Sequence, residues 1–478
     1  MTAASTSVDG RRWSAADTLI LIAVTCLAGV LRFAGIRQPG GFIFDEFYAA
    51  DACLYVLGPQ ASCLTPTEIS FVHPPLAKWL IGAGIRLFGF GPAGWRVAPL
   101  VAGTLSIALM YLLAHRLLAS TLAASIASSL LTFDFLHFVM SRTAMLDIFV
   151  VFFGLASFLC LVYDADRRES TPSPSSSLAR RLGERPWLVG AGLMGGAALA
   201  CKWSGGYLLA AVALLSISRH ARRTNDSRKW LRRAMDDSAV LFVALAVVPM
   251  AVYIASYAGR LNGALLAWPW SEESWLRAFL ARQQAMLGHH TGALYVHPYT
   301  SSPWSWLLVK RPVLFYFRDG GTVGYREILA VGNPFIWWAA LVALVVTAWR
   351  AARRRSIAGA ERIIIAGFIA GYVPWLVITR QEAFLYYLLP ALPFLYLALA
   401  RVVTNISSPR IRGAAIAGLA IASIGAFSFF RPVLFGATLT HAQWERRMLF
   451  SNCGPALSGT HKKPVDRVMP PPSGWCWV

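Results

Sequence analysis

Long apolar runs alternate with short basic ones along almost the whole chain. The apolar runs fall near 17–35, 95–114, 121–138, 146–163, 187–201, 203–218, 238–257, 333–349, 362–379, 384–401 and 412–430. A helix needs roughly 17–25 apolar residues to cross a hydrocarbon core, so the pattern predicts about eleven transmembrane helices, with 187–201 and 203–218 near or below the short limit. The run from Thr18 to Phe33 is long enough to span and has no convincing small-residue cleavage site, so it reads as a retained first span. A different pattern follows His73-Pro74-Pro75. There Leu76, Leu80, Ile81, Gly84 and Phe88 recur at helical spacing while Lys78 and Arg86 stay polar, which predicts a short interfacial helix.

The polar segments set the sidedness. Arg167, Arg168, Arg180 and Arg181 form one basic cluster, Arg222, Arg223, Arg228, Lys229, Arg232 and Arg233 a second, and Arg350, Arg353, Arg354 and Arg355 a third. By the positive-inside rule these loops and the N-terminus (1–16) are cytoplasmic, and an odd span count leaves the C-terminus outside. The segment 164–186 is then a cytoplasmic linker, its Thr171–Ser177 stretch flexible by composition. Residues 36–94, 258–332 and 431–478 are extracytoplasmic and too long for simple turns, which is where functional loops are expected. The whole, 1–478, reads as one all-α polytopic membrane domain.

Composition agrees with this reading. Only 14% of residues are charged and 56% are hydrophobic, with a mean hydropathy of +0.54, against about one-quarter charged in a soluble domain. The formal charge of +21 sits in the clusters between spans, which argues for anionic membrane lipids and against nucleic acid as partner. Of seven cysteines, Cys26, Cys160 and Cys201 lie in or near spans as core fillers. Cys53 and Cys63 share the first outer loop and Cys453 and Cys476 the outer tail, so an oxidising compartment permits two local disulfides. Neither pair has CxxC spacing or clustered histidines, and no metal site is expected.

Charged residues near the outer face carry the candidate chemistry. In Phe42-Ile43-Phe44-Asp45-Glu46-Phe47-Tyr48 two adjacent carboxylates stand among aromatics. They are either an ordinary solvated pair or a group of raised pKa able to act as a general base. His73 and Lys78 can meet a phosphate or anchor lipid headgroups. Arg96, Arg142, Asp147 and Lys202 fall at span ends on the face of Asp45. Cations there suggest a bound phosphate, although Arg142 can instead pair with Asp147. The blocks His297-Pro-Tyr-Thr-Ser-Ser-Pro303-Trp304-Ser-Trp306, Gly332-Asn-Pro-Phe-Ile-Trp337-Trp338 and Arg380-Gln-Glu-Ala-Phe-Leu-Tyr386-Tyr387 are an interfacial aromatic belt or a groove for sugar or peptide. There is no Walker loop, GxGxxG after a strand or HExxH, and no aspartates are spaced as DxD near a soluble domain. Nucleotide-driven chemistry is disfavoured and a lipid-linked substrate fits better.

Taken in order, Phe44-Asp45-Glu46, His73-Pro74-Pro75-Leu76-Ala77-Lys78, Trp95-Arg96, Arg142-Thr-Ala-Met-Leu-Asp147, Lys202-Trp-Ser-Gly205, the His297–Trp306 block, Arg311-Pro-Val-Leu and Gly332-Asn-Pro with Trp337-Trp338 resemble the protein O-mannosyltransferases, in the short actinobacterial form without a soluble domain. Ala77 stands where that family usually has glycine, and Gln381-Glu382-Ala383 is less apolar than its pattern there. The resemblance implies a GT-C glycosyltransferase fold, polyprenyl-phosphate mannose as donor, and Ser or Thr hydroxyls of exported proteins, met at the Sec translocon, as acceptors. It implies no cofactor besides the lipid-linked donor. Asp45 would be the base of an inverting displacement, with Glu46 supporting it or the acceptor. Lys202, Arg96, Arg142 and Asp147 would serve the donor side. His73, Lys78, His297, Tyr386 and Tyr387 would shape the entrance and acceptor side. The rival readings are a GT-C transferase moving a pentose or aminosugar onto a lipid or polysaccharide, and a transporter, which would show repeats and charges near mid-bilayer.

Overall fold

The computed structural model describes residues 13–57, 63, 72–170, 177–221, 238–258, 275–292, 297–353, 359–378, 382–451, 453 and 471–477. The second basic cluster, Thr171–Ser176, Arg380 and Gln381 lie outside the described residues.

Each predicted apolar run coincides with helical structure. Among the described residues eight helices are long and apolar enough to cross a membrane: Ala15–Phe33, Pro92–Leu118, Asp147–Arg167, Ser238–Ala255, Pro334–Arg353, Gly359–Val377, Leu385–Thr404 and Pro409–Phe435. Thr121–Thr132, Pro186–Cys201 and Gly205–Ser218 are apolar but shorter. Local sequence sets the ends. Ser14 and Asp17 form a capping box that opens the first helix, and Ser408 caps the last long one. Leu385–Thr404 is the most enclosed, packed between Thr121–Thr132, Pro334–Arg353 and Gly359–Val377.

Pro186–Cys201 is packed closely by its neighbours. A Cβ at Gly192 would stand 1.7 Å from the Ala244 carbonyl, and one at Gly196 2.6 Å from the Pro249 Cα, so the backbones touch where only glycine fits. The Ser238–Ala255 helix carries a π turn at Val243–Val247 just before Pro249, which has no N–H to give the preceding turn.

One expectation is corrected. The run 121–138 is not one helix: it breaks at Asp134, which caps Phe135–Met140 through the His137 N–H (2.7 Å). The Asp134 carboxylate also accepts from Trp337 Nε1 and the Tyr396 hydroxyl, each at 2.7 Å, so the break is fixed by a buried polar knot. Beside the helices the chain also carries a small sheet. Val313–Asp319 (β1), Tyr325–Ala330 (β2) and Thr438–Leu439 (β3) form an antiparallel sheet in the order β1-β2-β3. Its hairpin turns at Gly320–Gly324, where Gly321 and Gly324 take positive φ. Between 36 and 94 two helices form, Tyr48–Leu57 and the expected Leu76–Phe88, packed on each other. Both predicted disulfides, Cys53–Cys63 and Cys453–Cys476, are present.

Candidate active site

Ile43 to Phe47 make a single 3-10 turn between the first helix and Tyr48–Leu57, and its two carboxylates point to different worlds. Glu46 is fully buried. Its Oε1 accepts from Arg96 Nε at 2.6 Å and from the Ala144 N–H at 3.1 Å, and its Oε2 from Arg96 Nη2 at 2.7 Å and the Ile43 N–H at 3.1 Å. Arg96 gives its remaining donors to the carbonyls of Ile36 (3.1 Å), Pro39 (2.9 Å) and Gly41 (3.1 Å). All five N–H groups of the guanidinium are thus spent on protein, a bidentate geometry that Lys cannot copy. This pair ties the loop after the first helix to Pro92–Leu118.

Asp45, one residue earlier, faces a cavity of about 180 Å³ together with Asp147, Lys202, Glu382, Tyr386 and Tyr387. Among the described residues its carboxyl has neither hydrogen bond nor ion pair. The side chain opens on the cavity, with protein on its other sides. Burial pushes its pKa up to about 7; the charges of Asp147 and Glu382 raise it and Lys202 lowers it. Lys202 ends Pro186–Cys201 and donates to both oxygens of Asp147, at 2.9 and 3.0 Å, while Asp147 opens its own helix. A cation at a helix C-terminus and an anion at an N-terminus both match the helix dipoles. The Lys202 ammonium also lies 4.6 Å from the Tyr387 ring centre and 5.7 Å from that of Tyr386.

Neighbouring rings hold Asp45 in place. Phe44 adopts a left-handed backbone (φ 46), unusual for an aromatic residue and tolerated where packing over-determines it. Its ring stacks on Phe315 at 4.6 Å and meets the edges of His297 (5.7 Å) and Tyr386 (5.9 Å). Phe315 is the unpaired residue where the β1–β2 register shifts between Leu314 and Tyr316, so a bulge aims it at Phe44. On the wall, burial lowers the His297 pKa to about 4, which leaves its imidazole neutral near pH 7. His73 lies across the cavity, 5.4 Å from the His290 ring.

The structure therefore brings together Asp45, Asp147, Lys202, His73, His297, Tyr386 and Tyr387. It moves Glu46, Arg96, Arg142 and Lys78 elsewhere. Arg142 pairs with neither Asp147 nor the cavity: its Nη1 donates to the carbonyls of Leu31 (3.3 Å), Arg32 (2.8 Å) and Ala34, closing the C-terminus of the first helix. Lys78 is not on the polar face of its helix but buried against Asp51 at 2.7 Å, behind Tyr48. Burial without a carboxylate would be costly, and Asp51, which sequence reasoning missed, supplies it. Also missed as cavity residues were His289 and His290, whose helix Trp275–Thr291 mixes polar and apolar residues and so gave no span signal. Glu382 showed only as a departure from an apolar pattern. Among the described residues no group of three or more His, Cys, Asp or Glu is placed to hold a metal ion.

Comparisons with known proteins bear on this geometry. Residues 93–260 match the family model described as dolichyl-phosphate-mannose-protein mannosyltransferase, and residues 275–453 the C-terminal four-transmembrane region of protein O-mannosyltransferase. The chain is 31% identical to the polyprenol-phosphate-mannose–protein mannosyltransferase of Mycolicibacterium smegmatis, over 88% of this chain and 90% of that one. It is 30% identical to the protein of the same name from Mycobacterium tuberculosis, over 88% and 89%. Among solved structures, the S. cerevisiae Pmt1-Pmt2 complex bound to the sugar donor superposes with a TM-score of 0.75 at 15% identity, covering 93% of each chain. ArnT from Cupriavidus metallidurans bound to undecaprenyl phosphate gives 0.56 at 17% identity, covering 87% of this chain and 65% of that one. These likenesses show a GT-C membrane glycosyltransferase fold.

Proposed function

Because the chain belongs to the protein O-mannosyltransferase family, we propose that it transfers mannose from polyprenyl-phosphate mannose to Ser or Thr hydroxyls of exported proteins. It does so at the extracytoplasmic face of the plasma membrane, where exported chains emerge from the Sec translocon. The basic clusters between spans support that sidedness.

One observation carries the mechanism: Asp45 is a carboxyl without a hydrogen-bond or ion-pair partner among the described residues, in a cavity it shares with the Lys202–Asp147 pair. A Ser or Thr hydroxyl is a weak nucleophile. Asp45 takes its proton as the oxygen attacks the anomeric carbon, and the bond from that carbon to the phosphate oxygen breaks with its electrons on the departing lipid phosphate. Lys202 meets the charge that grows there, held by Asp147 so that little reorganisation is needed. Attack opposite the leaving group inverts the anomeric centre. Neutral His297 and the Tyr386–Tyr387 corner line the acceptor side. Glu46 and Arg96 act at one remove, by fixing the turn that presents Asp45.

Membranes carrying the Asp45→Asn variant, given lipid-phosphate mannose and a Ser/Thr-rich peptide, test this. Asparagine keeps the shape and removes the base, so peptide mannosylation should fall by about 10²–10⁴-fold. Undiminished transfer would remove Asp45 as the base. Label appearing in lipid or polysaccharide, with none in peptide, would replace the acceptor class.

A further inference from the structure

The chain's last described residues lie nowhere near the catalytic residues in sequence, yet they pack behind them. Trp475 and Trp477 are both almost wholly buried, although the tail they end is mostly polar and proline-rich. Their contacts lead along two routes to the cavity. On the first, the Arg311 N–H donates to the Trp477 carbonyl at 2.6 Å, while the Arg311 guanidinium reaches back to the Pro298 carbonyl at 2.9 Å. Arg311 has a positive φ of 54, a conformation that tertiary contacts must hold. Pro298 adjoins His297, and Trp475 packs edge-on against Tyr299 at 5.6 Å. On the second route, buried Glu327 of β2 accepts from Trp475 Nε1 at 3.2 Å and from Trp444 Nε1 at 2.7 Å. Glu327 is paired with Phe317 of β1, whose bulge residue Phe315 stacks on Phe44 beside Asp45. The tail itself is tied down by Cys453–Cys476 and by the Phe450 N–H on the Cys476 carbonyl at 3.2 Å.

We propose that Trp475–Trp477 is a positioning clamp for the transfer site, setting the His297 wall through Arg311 and the Asp45 turn through β1–β2. It touches no substrate. Releasing it leaves the Lys202–Asp147 donor side intact, because that pair is built on Asp147–Ser170 and Pro186–Cys201. This assignment of sides rests on the mannosyl-transfer reading above, whereas the mechanical claim does not.

The test compares the full chain with Trp477→Ala, with Trp475→Ala and Trp475→Phe, and with Cys453→Ser/Cys476→Ser. A fifth sample is the folded wild type treated with a phosphine reductant, which requires no refolding. Peptide mannosylation gives kcat and the two KM values. Diethyl pyrocarbonate labelling followed by mass spectrometry gives the reactivity of His297 relative to His73. Misplacing a reacting group by about 1 Å costs up to ~10²-fold. Trp477→Ala and Trp475→Ala are therefore expected to lower kcat roughly tenfold or more, with the donor KM unchanged and His297 labelled several-fold faster; the disulfide-free and reduced samples should move the same way by less. Trp475→Phe, which keeps an aromatic ring against Tyr299 but removes the N–H given to Glu327, should fall between wild type and Trp475→Ala. An unchanged kcat with unchanged His297 labelling overturns the clamp, as does a fall in kcat that simply tracks a loss of folded protein in thermal melts. If the wild type transfers nothing to peptide, the mannosyl-transfer reading fails, and histidine labelling still decides the clamp.

Discussion

Two ion pairs flank Asp45, and they differ in what their atoms have left to give. Arg96–Glu46 is closed: every donor of the guanidinium and both carboxylate oxygens are bonded to protein. Lys202–Asp147 is of similar length but stands at the cavity wall, where an ammonium with three donors spends two on one carboxylate. The same chemistry is thus spent wholly on protein in one place and left partly open to the cavity in the other. Saturation of the hydrogen-bonding groups, not charge or burial, separates the two.

The contrast is broken most directly at the closed pair. Glu46→Gln leaves Arg96 buried without its counter-charge, and breaking such pairs costs about 3–5 kcal/mol. Thermal melts in detergent should show the bundle strongly destabilised; a melt unchanged from wild type would mean that the pair is not structural. At the open pair, Lys202→Gln should lower transfer about 10²–10³-fold, the scale of losing one group that stabilises developing charge. Its stability loss should be smaller than that of Glu46→Gln, since Asp147 keeps contact with the cavity. The reverse ranking in the two assays would erase the distinction.

Acidity offers a gentler probe. Asp45 accepts a proton only when ionised, and its pKa is pushed up to about 7, first by burial and then by Asp147 and Glu382. The acceptor kcat/KM should therefore rise with pH up to about 7 and level off above it, while Asp45→Asn should lose this limb. The smallest effect is expected from Glu382→Gln. Removing one negative charge near Asp45 lowers its pKa and moves the rising limb to more acid pH; a shift toward alkaline pH would show that Glu382 acts otherwise.

How much of this was legible beforehand varies with the kind of force involved. Asp147 and Lys202 stood out as charges at span ends, Asp45 as an acidic pair among aromatics and His297 in an outer-loop aromatic block, and the structure gathers them at one cavity. Arg96 and Arg142, also read at span ends, and Lys78 of the interfacial helix are bonded to protein groups away from that cavity. Asp51 sits in a helix whose buried face cannot be read without its partner, and Asp134 lay hidden inside an apolar run. The β1–β2 hairpin was overlooked between stronger membrane signals, although Asp319-Gly320-Gly321 is a turn signature.

By itself the sequence determined the helical membrane bundle, the loops that carry the polar residues, and the local pairing of four cysteines. These follow from short-range rules: apolar length, charge between spans, and proximity along the chain. Only the tertiary structure decided which of two adjacent carboxylates faces the cavity. Asp45 and Glu46 are one peptide bond apart and chemically alike, and their difference comes from partners far along the chain. Arg96 and Ala144 close around one, while Phe315, brought in by a sheet, steers the other toward Lys202.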